Sequence, residues 1–159
     1  MPFPSMDFPN LRSGNYEEKS LADKRYNCIA WAAGRNDTWW DPAVSEDSDD
    51  PEVDHYWPAN APRDYKVTSL VVAYESVGFA ICADGSLEDG VEKIAIYADG
   101  PEYMHAARQL ENGKWTSKMG LGVDIEHDAP QNVTGPRYRQ VAVYMKPPRA
   151  KASTAAISG

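Results

Sequence analysis

The sequence predicts an α+β fold, in which N-terminal helices pack on a C-terminal antiparallel sheet. Two helical segments, one around Cys28 and one at 68–78, come before a run of strand segments between 93 and 145. The strands are short, and the pair Asn112-Gly113 is the strongest two-residue signal for a hairpin between adjacent strands. Helices that precede an antiparallel meander, with no repeat and no linker, indicate this class.

The length and charge of the chain limit its organisation and partners. Residues 1–147 are expected to form one domain, and residues 148–159 a disordered tail. The net charge is −8, and segment 41–54 contains seven acidic residues and no basic one. We interpret this segment as a solvated loop that keeps the protein soluble; shielding of a cleft and selection of basic substrates are the alternatives. Without a basic stripe to neutralise phosphates, nucleic acid is not expected as a partner.

The termini and cysteines indicate the compartment. The N-terminus lacks the basic and apolar regions of a signal peptide, and no stretch is apolar enough to span a membrane. We therefore expect a cytoplasmic protein with no membrane partner, although secretion by a signal-independent route stays open, as does the oligomeric state. Two Cys and three His without close spacing indicate neither a disulfide framework nor a metal site, and no cofactor is expected.

The first helix is predicted between Asn27 and Gly34. Asn27 is a favoured N-cap, and Gly34 is the usual residue through which a helix ends in the left-handed region. Cys28 then occupies the first helical position, where the positive end of the helix dipole favours a thiolate over a thiol. Cysteine nucleophiles are commonly built in this way, so Cys28 is the candidate nucleophile.

Aromatic residues follow this helix in two clusters and recur in a later strand. We favour the interpretation that they cover the back of the short helix, because large aromatics are first of all core material. The alternative is that some of them line a substrate cleft. The candidates for that cleft are Trp31, Trp39, Trp40, Tyr56, Trp57 and Trp115.

The later elements follow from periodicity. In segment 68–78, Leu70, Ala73, Tyr74 and Val77 recur at helical spacing, with Thr68 as the expected N-cap and Gly78 as the stop. Residues 79–82 are interpreted as a buried strand. Further strands are predicted at 93–98, 103–110, 114–118, 124–127 and 138–145.

A cysteine nucleophile needs a base, which is usually a histidine. His105 opens a strand directly after a turn, where a rigid element can aim an imidazole at a helix N-terminus. His55 lies in a loop and His127 near the last turn. We therefore choose His105 as the base and expect it within hydrogen-bond reach of Cys28.

This arrangement resembles the papain-like cysteine hydrolases, a clan that includes bacterial cell-wall peptidases and transglutaminase-type enzymes. The stretch from His105-Ala106 to Gly113-Lys114-Trp115 is similar to their His-Ala, hairpin, Gly-x-Trp segment. The Asn27-Cys28 helix start and the Trp-Thr-Ser-Lys run at 115–118 also resemble an uncharacterised bacterial family of papain-like type, from residue 26 to about 147. The resemblance implies a papain-like fold and attack by Cys28 on an amide or acyl carbon of a peptide or protein substrate.

Two positions depart from the papain pattern. No Gln occurs at 15–21, before Cys28, so the Cys28 amide, helped by Asn27, would have to hold the oxyanion. The third member of the triad should follow His105 along the sheet, where Asp124 is preferred to Ser117 because a carboxylate orients an imidazolium better. Hydrolysis, deamidation and transfer stay open. The alternative function is a papain-like scaffold without catalysis that acts as a protein-binding module.

Overall fold

The computed structural model describes residues 7–12, 14–20, 25–42, 55–119 and 123–147. The predicted tail at 148–159 and residues 43–54 of the acidic segment lie outside these residues. The elements in chain order are β1 (Tyr16–Glu18), α1 (Cys28–Ala32), β2 (Trp39–Trp40), β3 (His55–Tyr56), α2 (Val67–Glu75), β4 (Ala80–Cys82), β5 (Ile94–Asp99), β6 (Glu102–Gln109), β7 (Trp115–Lys118), β8 (Asp124–His127), a short 3-10 helix (Pro130–Val133) and β9 (Gln140–Lys146).

Seven strands form one sheet in the order β1-β8-β7-β6-β5-β9-β4, and every neighbouring pair in it is antiparallel. The strands β2 and β3 form a separate two-residue parallel pair. The turn at Asn112-Gly113 joins β6 to β7, as predicted, and Gly113 adopts a φ of +90°, which a β-carbon would disfavour. The hairpins β6–β7 and β7–β8 therefore bring three consecutive strands side by side.

Side chains alternate between the two faces of this sheet, as the pleat requires. On one face, Ile94, Ile96 and Ala106 pack in a cluster with both helices; we call it the helix face. On the other face, Ala95, Tyr97, Ala107, Trp115 and Ile125 pack with Phe8, Leu11 and Val133; we call it the opposite face. Successive residues of β6 and β7 therefore point alternately to the helix face, where α1 packs, and to the opposite face.

The predicted α+β fold with N-terminal helices on a C-terminal sheet, in the papain-like manner, is wrong. Strand β1 enters the sheet before the first helix, and the two α-helices of the described residues are only five and nine residues long. Helices of that length cannot form a layer of their own, because most helical stability comes from burying an extended apolar face. The protein is a β-rich fold built on an antiparallel sheet, with two short helices against one face.

Several local predictions are confirmed. Helix α1 starts at Cys28 with Asn27 as its N-cap, and the chain leaves it through Gly34, whose φ is +86°.

The predicted Thr68 cap is wrong, because α2 begins at Val67. The strand at 80–82 exists but is not buried: it lies at the edge of the sheet, and Ile81 is 59% exposed. Neither helix of the described chain is long and apolar enough to cross a membrane.

Candidate active site

The thiol of Cys28 lies at the first position of α1, against the end of the β6–β7 ladder. The ladder pairs Arg108 with Thr116 and Gln109 with Trp115. Backbone amides alternate along β6, so the amide of Ala106 points towards β7, as that of Leu110 does, but lies beyond the last paired residues. This amide contacts the Cys28 sulfur, and Cys28 itself is half-buried. The nucleophile candidate therefore sits where two strands of the sheet part.

Burial raises the pKa of the Cys28 thiol to about 11, although the Ala106 amide and the Lys118 ammonium each lower it. Helix α1 is only five residues long, so its dipole is weak. The predicted dipole-stabilised thiolate is therefore wrong for the resting protein. At neutral pH the thiol is therefore protonated, and Cys28 needs a base in order to attack.

His105 is fully buried on β6, and its ring lies on the opposite face of the sheet. Its Nε2 lies 3.0 Å from Ser117 Oγ, and its ring stacks on Tyr138 with the centroids 3.9 Å apart and the planes 2° from parallel. Burial, with a smaller effect of nearby His127, lowers the pKa of His105 well below its usual value, so the imidazole is neutral. Its Nδ1 is buried and has no hydrogen-bond partner within the described chain.

The predicted hydrogen bond between Cys28 and His105 does not occur among the described contacts. The sulfur and the imidazole approach the sheet from different faces, although the sulfur contacts Ala106, the residue next to His105. Tyr138, which stacks on the imidazole, has its pKa raised by burial and, to a smaller extent, by Cys28. The two groups thus share a neighbourhood around Ala106 and Tyr138 without a direct bond.

Of the two candidates for the orienting residue, Ser117 and not Asp124 contacts His105. Asp124 lies on the helix face, where its Oδ2 accepts hydrogen bonds from Tyr26 (2.8 Å) and Ser20 (2.7 Å). It pairs in register with Lys118, one residue beyond Ser117. Because adjacent strand residues point to opposite faces, Asp124 and Ser117 belong to different clusters. A carboxylate is the better partner for an imidazolium, but Asp124 lies on the wrong face of the sheet to contact His105.

Asn27 holds α1 in place through three hydrogen bonds, and its Nδ2 uses one of its two N–H donors for this purpose. Its Oδ1 accepts from the backbone amides of Ala30 (3.1 Å) and Trp40 (3.2 Å), and its Nδ2 donates to the Trp40 carbonyl at 2.7 Å. The expected help of Asn27 to an oxyanion stays a prediction, which depends on the second N–H of Nδ2. The Cys28 amide is not used by the cap and contacts the thiol of its own residue.

Three of the six proposed cleft aromatics are buried core residues, which agrees with the favoured interpretation for these three. Trp40 and Trp57 are buried in the cluster on the helix face, and Trp115 is buried on the opposite face. Trp31 is half-buried and donates from its indole to Thr116 Oγ1 at 3.0 Å. The remaining two, Trp39 and Tyr56, lie in the parallel pair β2–β3, half-buried and 41% exposed respectively.

Sequence reasoning missed His127, which is fully buried on β8. Its Nε2 lies 2.8 Å from Ser117 Oγ, and its Nδ1 lies 2.8 Å from the carbonyl oxygen of Ala129. Burial lowers the pKa of His127 to about 4. The signal was available, because the alternation of Asp124-Ile125-Glu126-His127 puts His127 on the same face as the apolar Ile125.

The comparisons with known proteins identify a family but no activity. No curated protein and no solved structure shows significant similarity to the chain. A family model described as a domain of unknown function, DUF7689, matches residues 17–146 and so spans both helices and most of the sheet. The chain therefore belongs to the DUF7689 family.

Proposed function

We propose that the protein is a cysteine-dependent acyl or amide hydrolase or transferase, in which Cys28 is the nucleophile and His105 the base. The observation that carries the proposal is the buried Nδ1 of His105, which has no partner among the described residues. A buried polar atom without a partner costs free energy and is rare in folded proteins, so a functional explanation is warranted. The Cys28 sulfur contacts the backbone amide of Ala106, the residue next to His105, so the two side chains are neighbours, and proton transfer requires the thiol and the imidazole to move into hydrogen-bond contact.

The chemistry follows from the neutral resting state. The S–H bond of Cys28 breaks as its sulfur bonds to the carbonyl carbon, the proton moves to Nδ1 of His105, and the carbonyl electrons move to oxygen. The Cys28 amide, which contacts the thiol of its own residue at rest, is the candidate donor to that oxyanion. Collapse of the intermediate breaks the bond to the leaving group, which takes the proton from His105, and a thioester remains. Water or an amine then attacks the thioester, giving hydrolysis or transfer.

General base catalysis suits these groups better than a preformed ion pair. With the thiol pKa at about 11 and the pKa of His105 well below its usual value, neither group is charged at neutral pH. Proton transfer during the attack avoids a buried charge pair in the ground state. A positioned base typically accelerates such a step by about 10²–10⁴-fold.

The second candidate is a binding module without catalysis. The observation that favours it is the same raised pKa of Cys28, because a buried and protonated thiol is also what a structural cysteine shows. In that case the orphaned Nδ1 of His105 is a cost of packing the imidazole against Tyr138.

Acylation by p-nitrophenyl acetate separates the two functions. The enzyme should release one equivalent of nitrophenolate in a burst at pH 7, and mass spectrometry should find the acetyl group on Cys28. His105→Gln should slow the burst by about 10²-fold or more. Cys82→Ser is the matched control and should react like wild type, because Cys82 lies on the edge strand β4. Slow, equal acetylation of both cysteines, unchanged by His105→Gln, would favour the binding module.

A further inference from the structure

Three buried side chains from three adjacent strands form one hydrogen-bonded chain on the opposite face. His105 on β6 contacts Ser117 on β7 at 3.0 Å, and Ser117 contacts His127 on β8 at 2.8 Å. The chain ends at the Ala129 carbonyl, 2.8 Å from His127 Nδ1. All three side chains are fully buried, so within the described protein the protons must be shared among these groups.

The carbonyl of Ala129 fixes the direction of every bond in this chain. A carbonyl only accepts, so Nδ1 of His127 carries a proton, and Nε2 of the neutral ring has a lone pair. Ser117 has a single proton and gives it to this lone pair. Toward His105 the hydroxyl can therefore only accept, so Nε2 of His105 is protonated and donates. The unprotonated nitrogen of His105 is then Nδ1, the one without a described partner.

We infer that His127 is a positioning residue: acting through Ser117, it fixes the tautomer of His105 and keeps Nδ1 as the base. This inference rests on the proposed function, because a base is needed only if Cys28 reacts. His127 itself lies one side chain beyond Ser117 and contacts neither the thiol nor a reacting atom. The general rule is that a hydrogen bond at one imidazole nitrogen determines which nitrogen is free for chemistry.

Removal of the acceptor at position 127 should reverse the direction of the hydrogen bond between Ser117 and His105. Without a lone pair there, the Ser117 hydroxyl can rotate and donate to Nε2 of His105. The proton of His105 then moves to Nδ1, which can no longer accept from Cys28. The parallel stacking on Tyr138 keeps the ring in place, so the tautomer changes while the position of the ring does not.

The test combines the nitrogen NMR spectrum of histidine-labelled full-length protein with the rate of Cys28 acylation. The chain has three histidines, so single substitutions assign each ring. His127→Leu removes the acceptor, and His127→Gln, of similar size, keeps one in its amide oxygen. We expect the Nε2–H tautomer of His105 in wild type and in His127→Gln, and the Nδ1–H tautomer in His127→Leu. The acylation rate should fall about 10²-fold in His127→Leu and about threefold at most in His127→Gln.

Each outcome decides one of the two claims. A wild-type Nδ1–H tautomer, or an unchanged Nε2–H tautomer in His127→Leu, overturns the inference even if Cys28 is acylated. Expected tautomers with no acylation of wild type overturn the proposed function, and the positioning role falls with it. If His127→Leu does not fold, Ser117→Ala replaces it: loss of the acceptor for Nε2 should give a mixture of both tautomers, and a single unchanged tautomer would contradict the chain.

Discussion

Acidification should destabilise the fold through His127 before the carboxylates titrate. Burial lowers the pKa of His127 from 6.5 to about 4, so the unfolded chain binds a proton that the folded chain refuses between these values. The contribution of neutral His127 to the free energy of unfolding is therefore fully present above the pKa of the unfolded chain, and it is lost as the pH falls through this window. The pKa of His105 is lowered by the same cause, and its contribution has the same sign.

The size of the effect follows from linkage. Between about pH 7 and 5.5, folded His127 stays almost wholly neutral, while its unfolded form becomes mostly protonated. The contribution of His127 to the free energy of unfolding should therefore fall by about 1 kcal/mol over this interval. His127→Gln removes this contribution, because an amide does not titrate.

Urea unfolding of wild type and His127→Gln at several pH values between about 5.5 and 7 measures the effect. The five tryptophans, among them buried Trp115, make intrinsic fluorescence a suitable signal. The pH dependence, and not the absolute stability, is compared, so a general cost of the substitution does not matter. Equal pH dependence of the two proteins would show that folding does not lower the pKa of His127 and would contradict the effect assigned to its burial.

Two further substitutions test the cap of α1 and the packing of the opposite face. Asn27→Ala should lower the free energy of unfolding by about 2–3 kcal/mol in urea, because it removes the helix cap and leaves the buried Trp40 backbone groups unpaired. Asn27→Asp keeps the acceptor and should cost less; equal losses would argue against the cap. Gly85→Ala should cost about 1–3 kcal/mol in the same assay, because the new β-carbon would lie 2.6 Å from the Tyr144 ring. Tyr144→Leu should relieve that cost, and a persistent cost would place the strain elsewhere.

Signals that act within a few residues were sufficient for local structure. Asn27 caps α1, Gly34 ends it, and Asn112-Gly113 turns the chain between β6 and β7. Each of these depends on the conformational preference of one or two residues, which the sequence states directly. The five strands from β5 to β9 were likewise predicted, with boundaries that differ from those of the structure by at most two residues.

The fold class and the partners of His105 depend on pairings between distant residues. Strand β1 has the composition of a polar loop, Tyr16-Glu17-Glu18, and becomes a strand only because β8 provides its hydrogen-bond partners. The sequence predicts two helices that form a layer on the sheet, whereas neither helix of the structure is long enough to form such a layer. The parity of Ser117 and His127 could be read from alternation once the register of β7 and β8 is known, but that register is a property of the folded sheet.

The geometry argues for a site that is uncharged at rest. A protonated His105 would be buried between Tyr138 and the cluster on the opposite face, and a thiolate at Cys28 would lose solvation between the strands. Either ion alone is unfavourable, so the proton has to move as the new bond forms. That requires one lone pair at a fixed nitrogen of His105, and the carbonyl of Ala129, three hydrogen bonds away from His105, is the group that decides which nitrogen it is.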